Sequence, residues 1–462
     1  MAFFGIAAVA LCVGMLIVVT SLFRGFIDAY LGHVQRLLGD VVLRPSEEIS
    51  DHEELLGRLE KLPGVVTARP LAQIGALLYL RPRVVKAVDL AGIDLERQCR
   101  DELFRRGLLQ QAEKTAPGFS LSEKAREKAR LWLANKLRRP VTDDELPTGA
   151  IVGIGVLAEP DEQTDEYDRA GIIEKDLTAR EGAMVFTTGR RGTGGGAGDE
   201  GQLPAQKLSG RCWPVDVIQT GMNDVDTRVV YLPFSYVREL IGTKGPDGKV
   251  RCRASFHLTL EKGRDVTEIM AQIGRVWQEF AVETLGVSRE LSGLVRIYVA
   301  SQEPLVRQYT QAIRQQLFIM QLILGLICLV AALLIFVILL MVVMHKRRDI
   351  GIIRSIGSSR GQVAQIFLLY GGGIGLAGAL LGLAAGVAAT RNINFIEAVL
   401  ARVLGFKIWR SGVYIFSEIP HEVAWGSVAW IMAAGMAAAL LGALLPAWRA
   451  ARMTPTQALR WE

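Results

Sequence analysis

The sequence predicts a membrane α-helical protein with four transmembrane helices and an α+β extracytoplasmic domain inserted between helices 1 and 2. Two observations predict this fold class. Four uncharged stretches are each long enough to cross a bilayer, and the mean hydropathy is +0.27 although 22% of the 462 residues are charged. Apolar and polar residues are therefore segregated along the chain, as they are when a membrane section is joined to a soluble section.

The boundaries of the spans follow from their length. A hydrocarbon core about 30 Å thick needs about 20 apolar residues in a helix. We assign helix 1 to residues 1–24 and expect it to be retained, because it lacks the basic start and the Ala-x-Ala cleavage site of a signal peptide. In chain order there follow the extracytoplasmic domain with its stalk helices 25–313, helix 2 at 314–344, a cytoplasmic loop 345–360, helix 3 at 361–390, an extracytoplasmic loop 391–422, helix 4 at 423–448 and a cytoplasmic tail 449–462.

The short loops predict the orientation in the membrane. The loop 345–360 carries an excess of Lys and Arg over one acid, Asp349, and the tail 449–462 adds three arginines. Both segments are typical of cytoplasmic loops under the positive-inside rule. The N-terminus is then cytoplasmic, and the large domain and the loop 391–422 lie on the extracytoplasmic side of the membrane. The formal charge of +6 fits such loops better than nucleic-acid binding, since no basic run is interleaved with aromatic residues.

Helix 3 carries a regular pattern of glycines. Gly378, Gly382 and Gly386 recur at every fourth residue and therefore share one helix face. Such a face allows another helix backbone to approach closely. We interpret it as ordinary tight packing of the helix bundle.

The large domain alternates short strands with helices. Residues 25–40 and 295–316 are predicted to extend the first two spans as stalks. A helix over 121–138 is predicted to begin with a capping box at Ser120 and Glu123. Strands are predicted at 41–44, 65–71, 74–80, 84–90, 151–154, 184–187, 215–219, 229–232 and 254–260, and further helices at 51–61, 233–241 and 266–283.

The five cysteines indicate no metal site, because none has a CxxC spacing. Cys12 and Cys328 lie inside apolar runs and are interpreted as small core residues. Cys99, Cys212 and Cys252 fall in the soluble part, where a single bridge between Cys212 and Cys252 remains open.

The sequence contains no pattern typical of catalysis or nucleotide hydrolysis. The glycine-rich tract at 189–201 is not followed by the Lys-Ser or Lys-Thr of a P-loop, so we interpret it as a flexible loop or hairpin tip. The five histidines are scattered without metal-ligand spacing. We therefore expect a protein that is not an enzyme and binds no cofactor itself, with its energy supplied by a partner.

Two motifs of the membrane section resemble a known family. Lys346-Arg-Arg-Asp-Ile-Gly-Ile-Ile-Arg-Ser-Ile-Gly-Ser-Ser-Arg360 and Pro446-Ala-Trp-Arg-Ala-Ala-Arg-Met-Thr-Pro-Thr-Gln-Ala-Leu-Arg460 are similar to the signatures of ABC transporter permeases of the FtsX/MacB-like family. The segments 413–425 and 217–226 narrow the resemblance to the lipoprotein-releasing LolC/LolE permeases. The chain departs from that group at 100–148, which is longer and more charged, and at the glycine-rich region 189–208.

The resemblance implies a transport subunit that works with a separate ABC ATPase. In the family this LolD-like partner binds ATP-Mg and pushes on the short helix between spans 2 and 3. Carried over residue by residue, the ATPase-coupling residues are Arg347, Arg348, Asp349, Ile350, Gly351, Ile353, Arg354 and Gly357.

The resemblance also implies the cargo and the location. The chain would extract lipoproteins from the cell inner (plasma) membrane, with its large domain in the periplasm, as a homodimer or beside a second permease subunit. Whether a periplasmic lipoprotein carrier binds the loop 189–208 stays open. An FtsX-like regulator of cell-wall hydrolases and a MacB-like efflux permease are the alternative functions. The residues expected to contact the acyl cargo or membrane lipid are Leu16, Val19, Leu22, Phe23, Leu317, Met320 and Ile323.

Overall fold

The computed structural model describes residues 2–81, 84–161, 166–190, 206–245, 247–261, 263–288, 295–404, 409 and 418–453. The chain divides into two compact units. The helical unit comprises Met1–Tyr30, Gln308–Val403 and Glu418–Glu462, and the sheet unit comprises Leu31–Arg307 and Leu404–Ser417.

The elements alternate in the first two thirds of the chain and are helical afterwards. The strands are β1 (Val41–Pro45), β2 (Val65–Arg81), β3 (Val84–Ile93), β4 (Thr148–Gly153), β5 (Met184–Arg190), β6 (Gln206–Ile218), β7 (Val229–Pro233), β8 (Thr243–Lys244), β9 (Val250–Arg251), β10 (Ser255–Leu260) and β11 (Val295–Val299). The helices are α1 (Ala2–Leu38), α2 (His52–Glu60), α3 (Leu95–Gln98), α4 (Glu102–Gly107), α5 (Glu123–Leu137), α6 (Ile154–Leu157), α7 (Arg169–Ile172), α8 (Asn223–Asp226), α9 (Phe234–Ile241), α10 (Val266–Glu283), α11 (Pro304–His345), α12 (Arg347–Ser355), α13 (Arg360–Arg391), α14 (Ile393–Leu404) and α15 (Trp425–Arg452).

Four helices of the described chain are long and apolar enough to cross a membrane: α1, α11, α13 and α15. The sheet unit follows the first of them in the chain and precedes the second. The predicted fold class is therefore confirmed. The extension of span 1 as a helix is also present, since α1 continues to Leu38. The second stalk begins only at Pro304, because residues 295–299 form the strand β11 instead.

The glycine face of α13 packs against the backbone of α1. A Cβ atom on Gly382 would lie 2.6 Å from the carbonyl oxygen of Ala10, and one on Gly386 would lie 3.0 Å from that of Gly14. A second glycine of α13 faces α15, where a Cβ on Gly375 would lie 2.6 Å from the Cβ of Ala439. Two faces of α13 therefore depend on glycine, and the predicted close approach of helices is confirmed.

The sheet unit is built on a nine-stranded sheet with the order β11-β1-β10-β2-β3-β7-β4-β6-β5. The long strand β2 pairs with β10 through its first half and with β5 through Leu77–Tyr79 in its second half. This additional pairing closes β2, β3, β7, β4, β6 and β5 into a ring of strands. The strands β11, β1 and β10 extend outward from the ring as an open part of the sheet.

Each part of the sheet has its own core. The ring encloses an apolar cluster that includes Leu78, Phe186 and Leu232, with α9 packed against it through Val237. The open part is covered by α2 and α10, whose Leu56 and Trp277 belong to a second buried cluster. Both clusters combine side chains from the strands and from the helices that pack on them.

Three local predictions differ from the structure. The strands predicted at 65–71 and 74–80 are one strand, β2, because β3 continues the ladder across residues 72 and 73. The cap of α5 is Ser122, whose hydroxyl accepts a hydrogen bond from the Ala125 amide at 3.3 Å, and not Ser120. The predicted loop 391–422 contains the helix α14.

The cysteines also differ from the expectation. Cys12 and Cys328 are joined in a disulfide between α1 and α11, with their Cα atoms 5.8 Å apart, and are not merely core residues. The two cysteines are 316 residues apart in the chain, so no local sequence pattern could predict that they pair. Cys212 and Cys252 are both free and buried, so the bridge left open between them is absent.

Candidate functional site

The short helix α12 occupies the loop between the second and third spans. Gly357 ends it with a positive φ of 111°, a conformation that glycine adopts without a steric penalty. Ser359 then caps α13: its hydroxyl accepts from the Gln362 amide at 3.3 Å, and the Gln362 side chain accepts from the Ser359 amide at 2.8 Å. The local sequence thus produces a helix, a tight turn and a second helix.

The inner face of α12 is fixed to the ends of three spans. Ile350 is 4% exposed and belongs to a cluster with Val343 of α11, Phe367 of α13 and Ala450 of α15. Arg354 donates hydrogen bonds to the carbonyl oxygens of Ala451, at 3.3 Å, and of Met453. Since these carbonyls end α15, the guanidinium also neutralises the negative end of that helix. The helix is therefore anchored by apolar packing and by a cation at a helix C-terminus.

The outer face of α12 and of the turn after it combines apolar and charged groups. Ile353 is 41% exposed, and Ile352 and Ile356 are 45% and 81% exposed. Arg348 and Asp349 are exposed beside them. Lys346 pairs with Asp349 at 2.9 Å, and this hydrogen bond raises the pKa of the Lys346 ammonium. An apolar strip edged with charges can seat in a groove of a soluble partner.

The predicted coupling residues thus fall into three groups by exposure, with Gly357 apart from them in the turn. Arg348, Asp349 and Ile353 are exposed, Ile350 and Gly351 are buried, and Arg347 and Arg354 are half-buried. Gly357 forms the turn. Ile352 and Ile356 belong to the exposed strip but were not predicted, although the spacing of Ile352, Ile353 and Ile356 follows a helical face.

The predicted cargo residues lie on α1 and α11. These helices contact each other at two levels, through the Cys12–Cys328 disulfide and through Tyr30 and Tyr309, whose ring centroids are 4.8 Å apart. Ile323 is 50% exposed. The other predicted residues are half-buried: Leu16, Val19, Leu22, Phe23, Leu317 and Met320. The structure brings the two sets onto one pair of antiparallel helices whose surface is apolar, and such a surface can hold hydrocarbon.

Parts of the predicted site lie outside the described residues. The last part of the tail motif, 454–460, and residues 191–205 of the glycine-rich region are among them. Within the described ranges, no group of three or more His, Cys, Asp or Glu side chains is arranged to hold a metal ion.

Comparison with known proteins finds a family model that matches part of the membrane section. Residues 321–455 match the family model described as FtsX-like permease C-terminal. The lipoprotein-releasing system transmembrane protein LolC of Neisseria meningitidis serogroup B is 34% identical over 156 residues, which are 34% of this chain and 38% of that protein. The corresponding protein LolE of Haemophilus influenzae is 33% identical over 121 residues, 26% of this chain and 29% of that protein. The chain thus spans about a third of the length of these relatives.

Solved structures are similar to a larger share of the chain. The periplasmic region of MacB from Actinobacillus actinomycetemcomitans has 12% sequence identity and a TM-score of 0.27, and covers 61% of this chain and 98% of its own. The extracellular domain of the transporter YknZ has 9% identity and a TM-score of 0.25, and covers 56% of this chain and 98% of its own. The resemblance predicted from the motifs is confirmed by the family model and the curated relatives.

Proposed function

We propose that the chain is the permease subunit of an ABC transporter, on the ground that residues 321–455 match the family model described as FtsX-like permease C-terminal. We propose further that a partner ATPase drives it to extract lipoproteins from the inner membrane and release them towards the outer membrane. The lipoprotein-releasing relatives LolC and LolE support this choice of cargo.

The outer face of α12 is the observation that carries the proposal. Ile353 and Ile356 expose apolar surface at a loop that is otherwise charged, and Arg348 and Asp349 lie beside them. Exposed isoleucines do not stabilise a free loop in water. If a groove on a soluble ATPase buried them, each Å² of apolar surface removed from water would contribute about 25 cal/mol to the free energy of binding. ATP-Mg is then bound and hydrolysed by that partner.

The inner face of α12 provides the path for the force. Ile350 packs among side chains of α11, α13 and α15, and Arg354 holds the carbonyl end of α15. A push on the outer face would therefore move the ends of these spans together with α12. Because packed interiors are nearly incompressible, the displacement is transmitted rather than absorbed locally.

The apolar surface of α1 and α11 suits an acylated cargo. Each CH₂ group of a lipid anchor contributes about 0.8 kcal/mol to membrane binding, so spontaneous extraction is slow and needs an energy source. Half-buried side chains such as Leu16, Phe23 and Met320 would offer the chains an alternative apolar environment. The proposed location is the inner membrane, with the sheet unit in the periplasm, as the excess of basic residues near α12 favours.

The test is reconstitution of the permease with its ATPase in proteoliposomes that contain an acylated lipoprotein. We expect Ile353→Asp and Asp349→Lys to lower both ATPase stimulation and lipoprotein release by at least about tenfold. Ile353→Asp places an unpaired charge in an apolar interface, at a cost of more than about 1.4 kcal/mol, and Asp349→Lys reverses a charge at the edge of that interface. Val282→Asp is the matched control, because Val282 (42% exposed) and Ile353 (41% exposed) are about equally exposed. Val282 lies on α10, far from α12 in the chain. Unchanged stimulation by both α12 variants would exclude the coupling role.

The cargo is tested separately. We expect acylated peptides in the mass spectrum of material that co-purifies with the permease and its ATPase. Recovery of a cell-wall hydrolase without acylated peptides would overturn lipoprotein release, even if the α12 variants behave as expected.

A further inference from the structure

The helix α14 leaves its apolar face uncovered by the rest of the chain. None of its 12 residues is buried. Phe395 is 69% exposed and Val403 is 77% exposed, and Ile396, Val399 and Leu400 are each between 42% and 43% exposed. These side chains occupy adjacent positions around the helix, because 396, 399, 400 and 403 follow the i, i+3, i+4, i+7 rule.

The position of α14 in the chain places it at the edge of the membrane. The span α13 has 32 residues and is therefore about 48 Å long. At a tilt of about 20°, this length crosses about 45 Å, which is close to the ~40–45 Å thickness of a bilayer with its headgroups. Its last residue is Arg391, and α14 begins at Ile393. The carbonyl oxygen of Asn392 accepts from the Ile396 amide at 2.9 Å, so the second helix starts where the first one ends.

The start of the next span, α15, marks the same boundary. The chain re-enters the membrane at α15, where Trp425 is 60% exposed and Trp430 is 79% exposed. Exposed tryptophans at the end of a span are typical of the boundary between headgroups and acyl chains. The end of α13 and the start of α15 therefore both lie at headgroup level.

Polar contacts determine which side of α14 turns outward. The side-chain amide of Asn394 accepts from the backbone amide of Ile419 at 3.0 Å and donates to its carbonyl oxygen at 3.4 Å. The segment that includes Ile419 is itself tied to the first span, because the Glu422 amide donates to the carbonyl oxygen of Ser21 at 3.2 Å. Since Asn394 lies on the side opposite Val403, this attachment directs the apolar side chains away from the helical unit.

We propose that α14 is an interfacial helix that lies in the plane of the bilayer, with its apolar face in the acyl boundary and Arg391 and Arg402 among the lipid phosphates. Both arginines are exposed, and their long side chains can reach the headgroups while the helix stays at the boundary. The bilayer would then hold the segment 418–424 against α1. The inference depends on the spans alone and not on the transported cargo.

Spin labels on single cysteines test this placement in nanodiscs. The background carries Cys99, Cys212 and Cys252 replaced by alanine and keeps the Cys12–Cys328 disulfide. We expect labels in Ile396→Cys, Val399→Cys and Val403→Cys to be relaxed more strongly by oxygen than by a water-soluble nickel complex. The matched control Ala398→Cys lies on the opposite side of the helix, and its label should be relaxed by a nickel-chelating lipid headgroup.

Two outcomes would overturn the proposal. If all four labels respond mainly to the soluble nickel complex, the helix lies in water. If the labels at 396, 399 and 403 are shielded from both reagents, a protein covers the face, such as a second copy of the permease. Labels on exposed residues leave the packing of the spans intact, and circular dichroism of each variant verifies its helix content.

Discussion

Replacing Gly382 by alanine tests whether the close approach of α13 and α1 holds the spans together. The added Cβ would lie 2.6 Å from the carbonyl oxygen of Ala10 and 3.1 Å from the amide nitrogen of Gly14. The first distance is about 1 Å shorter than the ~3.5–4.0 Å that dispersion favours. Both neighbours are backbone atoms, so no rotamer change relieves the clash and α1 must shift. Overpacking of this kind costs about 1–3 kcal/mol.

Part of that cost is offset, since alanine is favoured over glycine inside a helix by roughly 0.5–1 kcal/mol. We therefore expect a net loss of about 1–2 kcal/mol in the free energy of unfolding, or roughly a 5–30-fold change in the ratio of folded to unfolded protein. The free energy of unfolding is measured by SDS titration in mixed micelles, with tryptophan fluorescence as the signal. The matched control is Gly373→Ala on the same helix, where a Cβ meets no atom within 4 Å. The control should unfold at the same or a higher SDS fraction. Equal midpoints for Gly382→Ala and wild type would refute the packing argument.

Two further predictions concern the sheet unit. Burial, with the nearby cations of Arg69 and Arg44, lowers the pKa of His257 to about 3 from its ordinary value of 6.5. As pH falls, the unfolded chain therefore binds the proton before the folded protein does. We expect the free energy of unfolding that is present above pH 6.5 to decline towards pH 3, by up to about 1.4 kcal/mol per pH unit. Thermal midpoints of His257→Gln should depend on pH less steeply than those of the wild type, and equal slopes would contradict this role of His257. Ser122→Ala should destabilise α5 by about 1 kcal/mol, because the cap of the Ala125 amide is lost. Hydrogen exchange over residues 123–137 should rise about fivefold, whereas Ser120→Ala should leave exchange unchanged; the opposite ranking of the two variants would favour the capping box at Ser120.

The candidate site shows where sequence reasoning succeeds and where it stops. The motif 346–360 located the short helix α12, because charge, isoleucine spacing and Gly357 are local features. The motif did not separate the two faces. Ile350 and Ile353 are the same residue type three positions apart, yet one is 4% exposed and the other 41% exposed. That difference arises because the ends of α11 and α13, which flank α12 in the chain, and of the distant span α15 pack around Ile350.

The cysteines and α14 show the same limit. Cys12 and Cys328 each lie in an apolar run, and nothing local distinguishes a core cysteine from a bonded one. The short helix α14 has a helical apolar pattern, but its 12 residues lie in a loop between two long spans, where a loop was the simpler prediction. Serine is a favourable N-cap residue, so the sequence alone did not distinguish Ser120 from Ser122. The structure does, because the Ser122 hydroxyl accepts a hydrogen bond from the Ala125 amide.

The sequence alone predicted the four spans, the resemblance of the motif 346–360 to FtsX-like permeases and the positions of most strands. The spans and strands could be predicted because they depend on local composition: a run of about 20 apolar residues suits a bilayer, and short apolar runs bounded by turn residues suit a sheet. Tertiary structure decided the closure of the strand ring through β2 and β5, the disulfide, and the outward faces of α12 and α14. Those features are set by contacts between residues far apart in the chain, and a pattern read along the chain carries no information on which distant surface will cover it.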